Sequence, residues 1–280
     1  MSDTDTRSEE QAELDETSTS AAASIEDKPD RGPLGTFIRY FGMPIFLAVA
    51  LVLNYLWIQG QDLGAIEQRQ FRADRLLEFT IRHIELTFYS SVIVLALAIP
   101  LGIVATRPKA KRFAPAIIGL GNAGQAIPSL GLLGIIFFLA RTTDLLPSTG
   151  VVPALMALVV YSFLPILRNT MVGLQQVDEF VLEAGRGMGM SNARVLRKLE
   201  LPLSVPVILA GIRTALVLNV GTATIVFFTG GGGLGQVIFS GFQTQRTTVL
   251  VTGSVMVASL ALMIDHIAGI VEDILTPKGL

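Results

Sequence analysis

Apolar and polar residues along this chain fall into long blocks instead of alternating or forming a single amphipathic stripe. Nearly uncharged stretches run from Met43 to Ile58, Leu86 to Thr106, Phe113 to Ala140, Leu145 to Leu167, Leu203 to Phe228 and Thr247 to Ile270. Each approaches or exceeds the roughly 20 apolar residues that a helix needs to cross a bilayer. Helices are the expected form, because open strands would leave backbone donors and acceptors unpaired in lipid. The pattern therefore predicts an all-α integral membrane protein with about six transmembrane helices. Pro100 lies inside the second stretch, Arg213 interrupts the fifth, and Asp265 and His266 sit near the end of the sixth.

The polar blocks between these stretches set the orientation. The connection after the second crossing carries Arg107, Lys109, Lys111 and Arg112, and the one after the fourth carries Arg186, Arg194, Arg197 and Lys198. Only Arg141 lies between the third and fourth. Basic loops stay in the cytoplasm, so an even number of crossings puts both termini there. The stretch from Gln61 to His83 would then be external, although it holds Arg69, Arg72, Arg75 and Arg82 opposed by Asp62, Glu67, Asp74 and Glu78. Charges every three or four residues predict an amphipathic helix on the outer surface.

Composition sharpens this picture. Mean hydropathy is +0.59, too high for an ordinary soluble domain. The net charge of −2 hides an asymmetry, since residues 1–30 hold ten of the 23 acidic residues but only Arg7 and Lys28 among the 21 basic ones. That tail is short of large apolar residues and predicts a disordered, solubilising segment; its polarity also argues against a cleaved signal peptide. There is no cysteine, and His83 and His266 are the two histidines, which disfavours a thiol nucleophile or a catalytic zinc site. No lysine follows a glycine, so the phosphate-binding loop of an ATPase is missing. Gly230 to Gly233 has no lysine beside it and reads as a hinge or re-entrant turn outside the membrane. No catalytic residue, metal, cofactor or nucleic-acid partner is expected.

The most informative block is VDEFVLEAGRGMGMSNARVLRKLELPLSVP, between the fourth and fifth crossings. It predicts a short helix over Asp178 to Arg186, a turn at Gly185, Gly187 and Gly189, and a second helix from Ser191 to Glu200. Ser191 is placed to cap that helix, and Pro202 to open the next crossing.

Here the chain resembles the permeases of ABC importers, whose cytoplasmic signature reads EAA, three residues, G, nine residues, I, one residue, LP. Glu183, Ala184, Gly189, Leu199, Leu201 and Pro202 stand at those spacings, with Gly185 in place of the second Ala and Leu199 in place of Ile. Further stretches resemble the subfamily that imports glycine betaine, choline and carnitine: Gln125 to Leu130, Leu164 to Thr170, Gly211 to Thr224, and Gly232 to Phe239.

The resemblance implies the type I ABC importer permease fold. Composition and charge set a tail at residues 1–35, a first transmembrane helix at 36–60 and an external amphipathic segment at 61–82, and the resemblance places the permease core at 83–275 with its coupling loop at 172–202. The resemblance further implies a separate ABC ATPase subunit that grips the loop, an external solute-binding protein, a second permease subunit (a copy or a relative), and a plasma-membrane location in contact with lipid. Polar residues within the crossings are candidates for the translocation path: Asn122, Gln125, Asn219, Thr222 and Thr224. Hydrogen bonding between helices is their alternative use. Arg213 and Asp265 are expected to form a structural ion pair, since a charge near mid-membrane needs a partner. No aromatic cage for a quaternary ammonium ion is evident. Trp57, the sole tryptophan, reads as an interfacial anchor. A permease for amino acids or another small solute is the alternative within the class, and a secondary carrier the alternative outside it.

Overall fold

The computed structural model describes residues 33–143 and 146–276; residues 1–32 of the tail expected over 1–35 lie outside them, and residues 33–35 open the first helix. Among the described residues every regular element is helical. The chain divides into two compact units, Met1–Gly42 and Met43–Leu280. The described part of the first is the opening of helix α1 (Pro33–Gln59), where Phe37 stacks on Phe41 at 5.1 Å. All that follows concerns the second.

Beyond Met43, α1 turns Val49, Val52, Leu53 and Leu56 outward while burying Leu47, the mark of a peripheral helix facing lipid. A short helix α2 (Ala65–Gln70) precedes α3 (Ala73–Thr106), which runs unbroken for 34 residues. Residues 73–82, expected in a separate surface helix, are thus continuous with the helix of the second crossing. The reason is local: no glycine or proline interrupts the chain from Ala73 to Ile99. Arg107 and Pro108 end α3.

The segment expected as the third crossing departs from a single span. Instead of one straight helix, α4 (Ala114–Ala126) and α5 (Ser129–Thr143), with a short turn at Lys111–Phe113 ahead of them, meet at a bend of 104°. Pro128 is the cause, because the residue before a proline is pushed out of the helical region, and Ile127 is extended at φ −72°, ψ 127°. The break is secured from α6 (Val151–Gln175): Tyr161 donates its hydroxyl to the Ile127 carbonyl, and its own carbonyl accepts from Gln125 Nε2 at 2.8 Å. Five helices are individually long and apolar enough to cross a membrane, and the bent pair makes up to six.

Helix α6 is the centre of the bundle. Val94, Ala98 and Ala105 of α3, Ala114 of α4, Ile166, Leu167 and Met171 of α6, and a later helix through Ala215 share one buried cluster. Small residues allow the close approach. A Cβ on Gly102 would lie 2.8 Å from Thr170 of α6, and one on Gly211 would lie 2.4 Å from Asn169.

After α6 come α7 (Glu179–Gly187) and α8 (Asn192–Val195), then a π turn (Leu196–Glu200) that leads directly into α9 (Leu201–Thr222). Pro202 lacks an N–H group, and the wider turn just before it accommodates the missing bond; Pro206 lies inside α9. A 3₁₀ turn (Val226–Thr229), α10 (Gly235–Gln243) and α11 (Thr247–Leu275) complete the elements among the described residues. Phe79, Val220, Leu234, Val237, Val249 and Val257 hold α3, α9, α10 and α11 together.

Candidate coupling site and permeation path

The loop between α6 and α9 is built by local bonds. Asp178 caps α7, accepting from the Phe180 N–H at 2.9 Å. At the other end Gly189 takes φ +82°, and the Met190 N–H returns to the Gly185 carbonyl at 3.1 Å, closing the helix with a left-handed glycine. Ser191 flanks α8 as expected, but its hydroxyl makes no cap bond; its carbonyl instead accepts from the N–H groups of Arg194 and Val195.

Packing then fixes the elbow's shape. Gly185 is buried beneath Leu199, whose Cδ1 lies 2.6 Å from where a Cβ would be, and Val195 is fully enclosed beside it. An alanine here would press on Leu199, so glycine at this signature position lets α7 sit close on the π turn. Leu199, Leu201 and Pro202 are half-buried along the exit. Glu183 and Ala184 point outward with Val181, and Phe180 and Met188 are 80% and 73% exposed. The elbow thus presents apolar side chains around a carboxylate on a short, capped helix.

The candidate path residues separate into two groups. Asn219 is fully buried, with its Nδ2 donating to Ser90 Oγ at 2.7 Å and Ser91 Oγ at 3.0 Å, a fastening of α9 to α3. Gln125 braces the α4–α5 break through Tyr161. Asn122 is exposed and accepts from Arg168 Nη2 at 2.8 Å, while Thr222 and Thr224 are half-buried at the end of α9. Arg213 meets Asp265 in a two-pronged pair, Nε to Oδ1 at 2.5 Å and Nη2 to Oδ2 at 2.7 Å, with Glu272 3.6 Å from Nη1.

At the opposite end of the bundle from the elbow, three of the four glycines of Gly230–Gly233 adopt positive φ. His83 is buried beneath them. Its Nε2 lies 3.0 Å from the Val220 carbonyl and its Nδ1 accepts from the Leu234 N–H at 3.3 Å, an arrangement that sets a neutral ring with its proton on Nε2. Arg82 Nε reaches the Gly231 carbonyl at 3.0 Å. An open cavity of about 690 Å³ lies here, walled by Asp74, Glu78, Arg82, Glu85, the four glycines and Gln236. Nearby in sequence, Phe227, Phe228 and Phe239 gather with centroids 4.1 to 4.8 Å apart and Phe242 stacks on Phe239 at 6.4 Å. Rings this close fill one another's faces, a packed knot and not a cage.

Glu67 anchors α2 to the start of α11. It is buried, accepts from Thr248 Oγ1 at 2.5 Å and the Gly64 N–H at 2.7 Å, and lies 3.7 Å from Arg246. These contacts, the Thr248 hydroxyl foremost, hold its carboxyl below the usual range. Sequence reasoning missed both His83 and Glu67 as structural fasteners, since their partners are 137 and 181 residues away. It also missed Arg107, which grips Glu200 at the exit of the elbow.

A helical bundle with a glycine-closed elbow joining two of its crossings defines a multi-pass transport subunit of the importer-permease kind. Residues 98–278 match the family described as binding-protein-dependent transport system inner membrane component, and the chain belongs to that family. It is 42% identical over 211 residues to the choline transport system permease protein OpuBB of Bacillus subtilis strain 168, covering 75% of this chain and 93% of the relative. The glycine betaine/carnitine/choline transport system permease protein OpuCB of the same organism is 41% identical with the same coverage. Among solved structures, an inward-facing form of the MetNI methionine ABC transporter matches with a TM-score of 0.62 and 26% identity, over 72% of this chain and 96% of that one.

Proposed function

We propose that this permease carries a compatible solute such as glycine betaine, choline or carnitine through the plasma membrane, as one half of a pore completed by a second permease subunit. A separate ATPase grips the elbow from Glu183 to Pro202, both termini lie in the cytoplasm, and an external binding protein delivers the solute. The observation that carries the solute class is 42% and 41% identity, across three quarters of the chain, to permeases named for these solutes. The exposed Phe180, Val181 and Met188 around Glu183 support a docked motor, because apolar side chains on a short, well-capped helix suit a groove on a soluble partner. Asn122, exposed beside Arg168, and the half-buried Thr222 and Thr224 stay path candidates; Asn219 acts as a helix fastener.

The likeness to a methionine transporter supports amino acids as the second reading. Uptake of labelled betaine into vesicles holding the assembled transporter, with and without ATP, tests both. Uptake that needs ATP and is competed by choline or carnitine but not by methionine is expected. ATP-driven uptake of methionine alone would favour the second reading, and betaine uptake indifferent to ATP would overturn the pump.

A further inference from the structure

The elbow has two covalent exits, back into α6 through residues 176–178 and forward into α9 through the continuous helical run from Asn192. Helix α3, which packs along both α6 and α9, has no chain connection to it. A side-chain contact supplies one. Arg107, the residue that ends α3, meets Glu200 with both prongs of its guanidinium: Nη1 to Oε1 at 3.1 Å and Nη2 to Oε2 at 2.5 Å.

Both partners are held in place. Arg107 Nε donates to the Ile103 carbonyl at 3.2 Å, one of the acceptors left open at the helix end, and Nη2 also reaches Thr106 Oγ1 at 3.2 Å. A cation there also suits the negative end of the α3 dipole. Glu200 closes the π turn, immediately before Leu201 and Pro202, and its side chain is only 6% exposed. A carboxylate so enclosed depends on its counter-ion, and one facing a planar fork keeps a fixed direction as well as a fixed distance.

We infer that Arg107 and Glu200 are positioning residues that make the inner end of α3 follow the elbow, so that motion of the loop reaches three crossings and not two. The inference rests on the coupling reading of the loop. A π turn is a deformable segment, and tying its last residue to a third helix converts local bending at Leu196–Glu200 into displacement of α3.

The test uses the full transporter in vesicles, with its ATPase and binding protein, and reads solute taken up per ATP hydrolysed. Glu200→Gln keeps the size and one accepting oxygen but removes the charge and the second acceptor; Arg107→Lys keeps the charge but loses the fork. Each is expected to lower the ratio by roughly fivefold or more, the scale of a coupling interaction, while hydrolysis continues. The exchange Arg107→Glu with Glu200→Arg is expected to recover part of the ratio. An unchanged ratio in both single variants overturns the inference, as does a proportional fall of uptake and hydrolysis in complexes that still assemble. Should Glu200→Gln fail to assemble, Arg107→Lys decides; if it too falls apart, the pair is a structural staple and the inference fails. Absence of ATP-driven uptake in the unmodified transporter would instead sink the coupling reading itself.

Discussion

Gly189 is the position where the elbow's conformation and its docking can be separated. Its φ of +82° lies in the left-handed region, and no neighbouring atom lies within 4 Å of where a Cβ would project. Gly189→Ala therefore meets no clash, and its whole cost is conformational, about 1–2 kcal/mol. That lowers the ratio of closed to open turn by roughly 5- to 30-fold, and the apparent affinity for the ATPase by up to the same factor. Asparagine and aspartate visit the left-handed region more readily than alanine. Gly189→Asn is accordingly expected to keep most of the coupling that alanine loses. Gly189→Asp shares that tolerance but adds a charge where the motor would sit, so any deficit beyond that of asparagine reports on the docked surface. The assay is ATP-driven uptake and hydrolysis in vesicles, beside the amount of protein in the membrane, which all three variants should leave unchanged. Normal transport by Gly189→Asp would refute the docking assignment. Alanine equal to asparagine would refute the conformational argument.

Gly211→Ala places a methyl group 2.4 Å from Asn169 Cβ and should destabilise the α6–α9 contact by about 1–3 kcal/mol, read as a lower unfolding temperature in detergent, whereas Gly187→Ala, with open space around it, should change little. Asn219→Ala removes the amide that ties α9 to Ser90 and Ser91 and should cost about 0.6–1.7 kcal/mol for each bond, with the solute concentration for half-maximal uptake unchanged; a shift in that concentration would return Asn219 to the path. Glu67 has its carboxyl pKa lowered from 4.5 by Thr248 and Gly64, so its stabilising contacts are complete above the unfolded value and are lost as pH falls through the folded one. Hydrogen-exchange protection at residues 64–70, taken relative to the unstructured chain at each pH, should therefore fall as pH drops below the ordinary carboxylate range, and in Glu67→Gln it should be low at neutral pH as well.

What a reader of the chain alone recovers is whatever depends on neighbours in sequence. The crossings follow from apolar runs, which need no partner to favour lipid, and the elbow from the spacing of Glu183, Gly189 and Pro202, because capping and left-handed turns are closed by residues within five positions. The Arg213–Asp265 contact was reachable by elimination, an intramembrane charge having few acids at its depth. Tertiary structure decided the rest. It braced the break that Pro128 makes between α4 and α5 with Tyr161, tied the path candidate Asn219 to Ser90 and Ser91, and buried His83, Glu67 and Glu200 against partners more than 90 residues away. Polar groups in a membrane bundle take the nearest donor or acceptor in space, and which one that is depends on how the helices cross, a property that no local stretch of sequence contains.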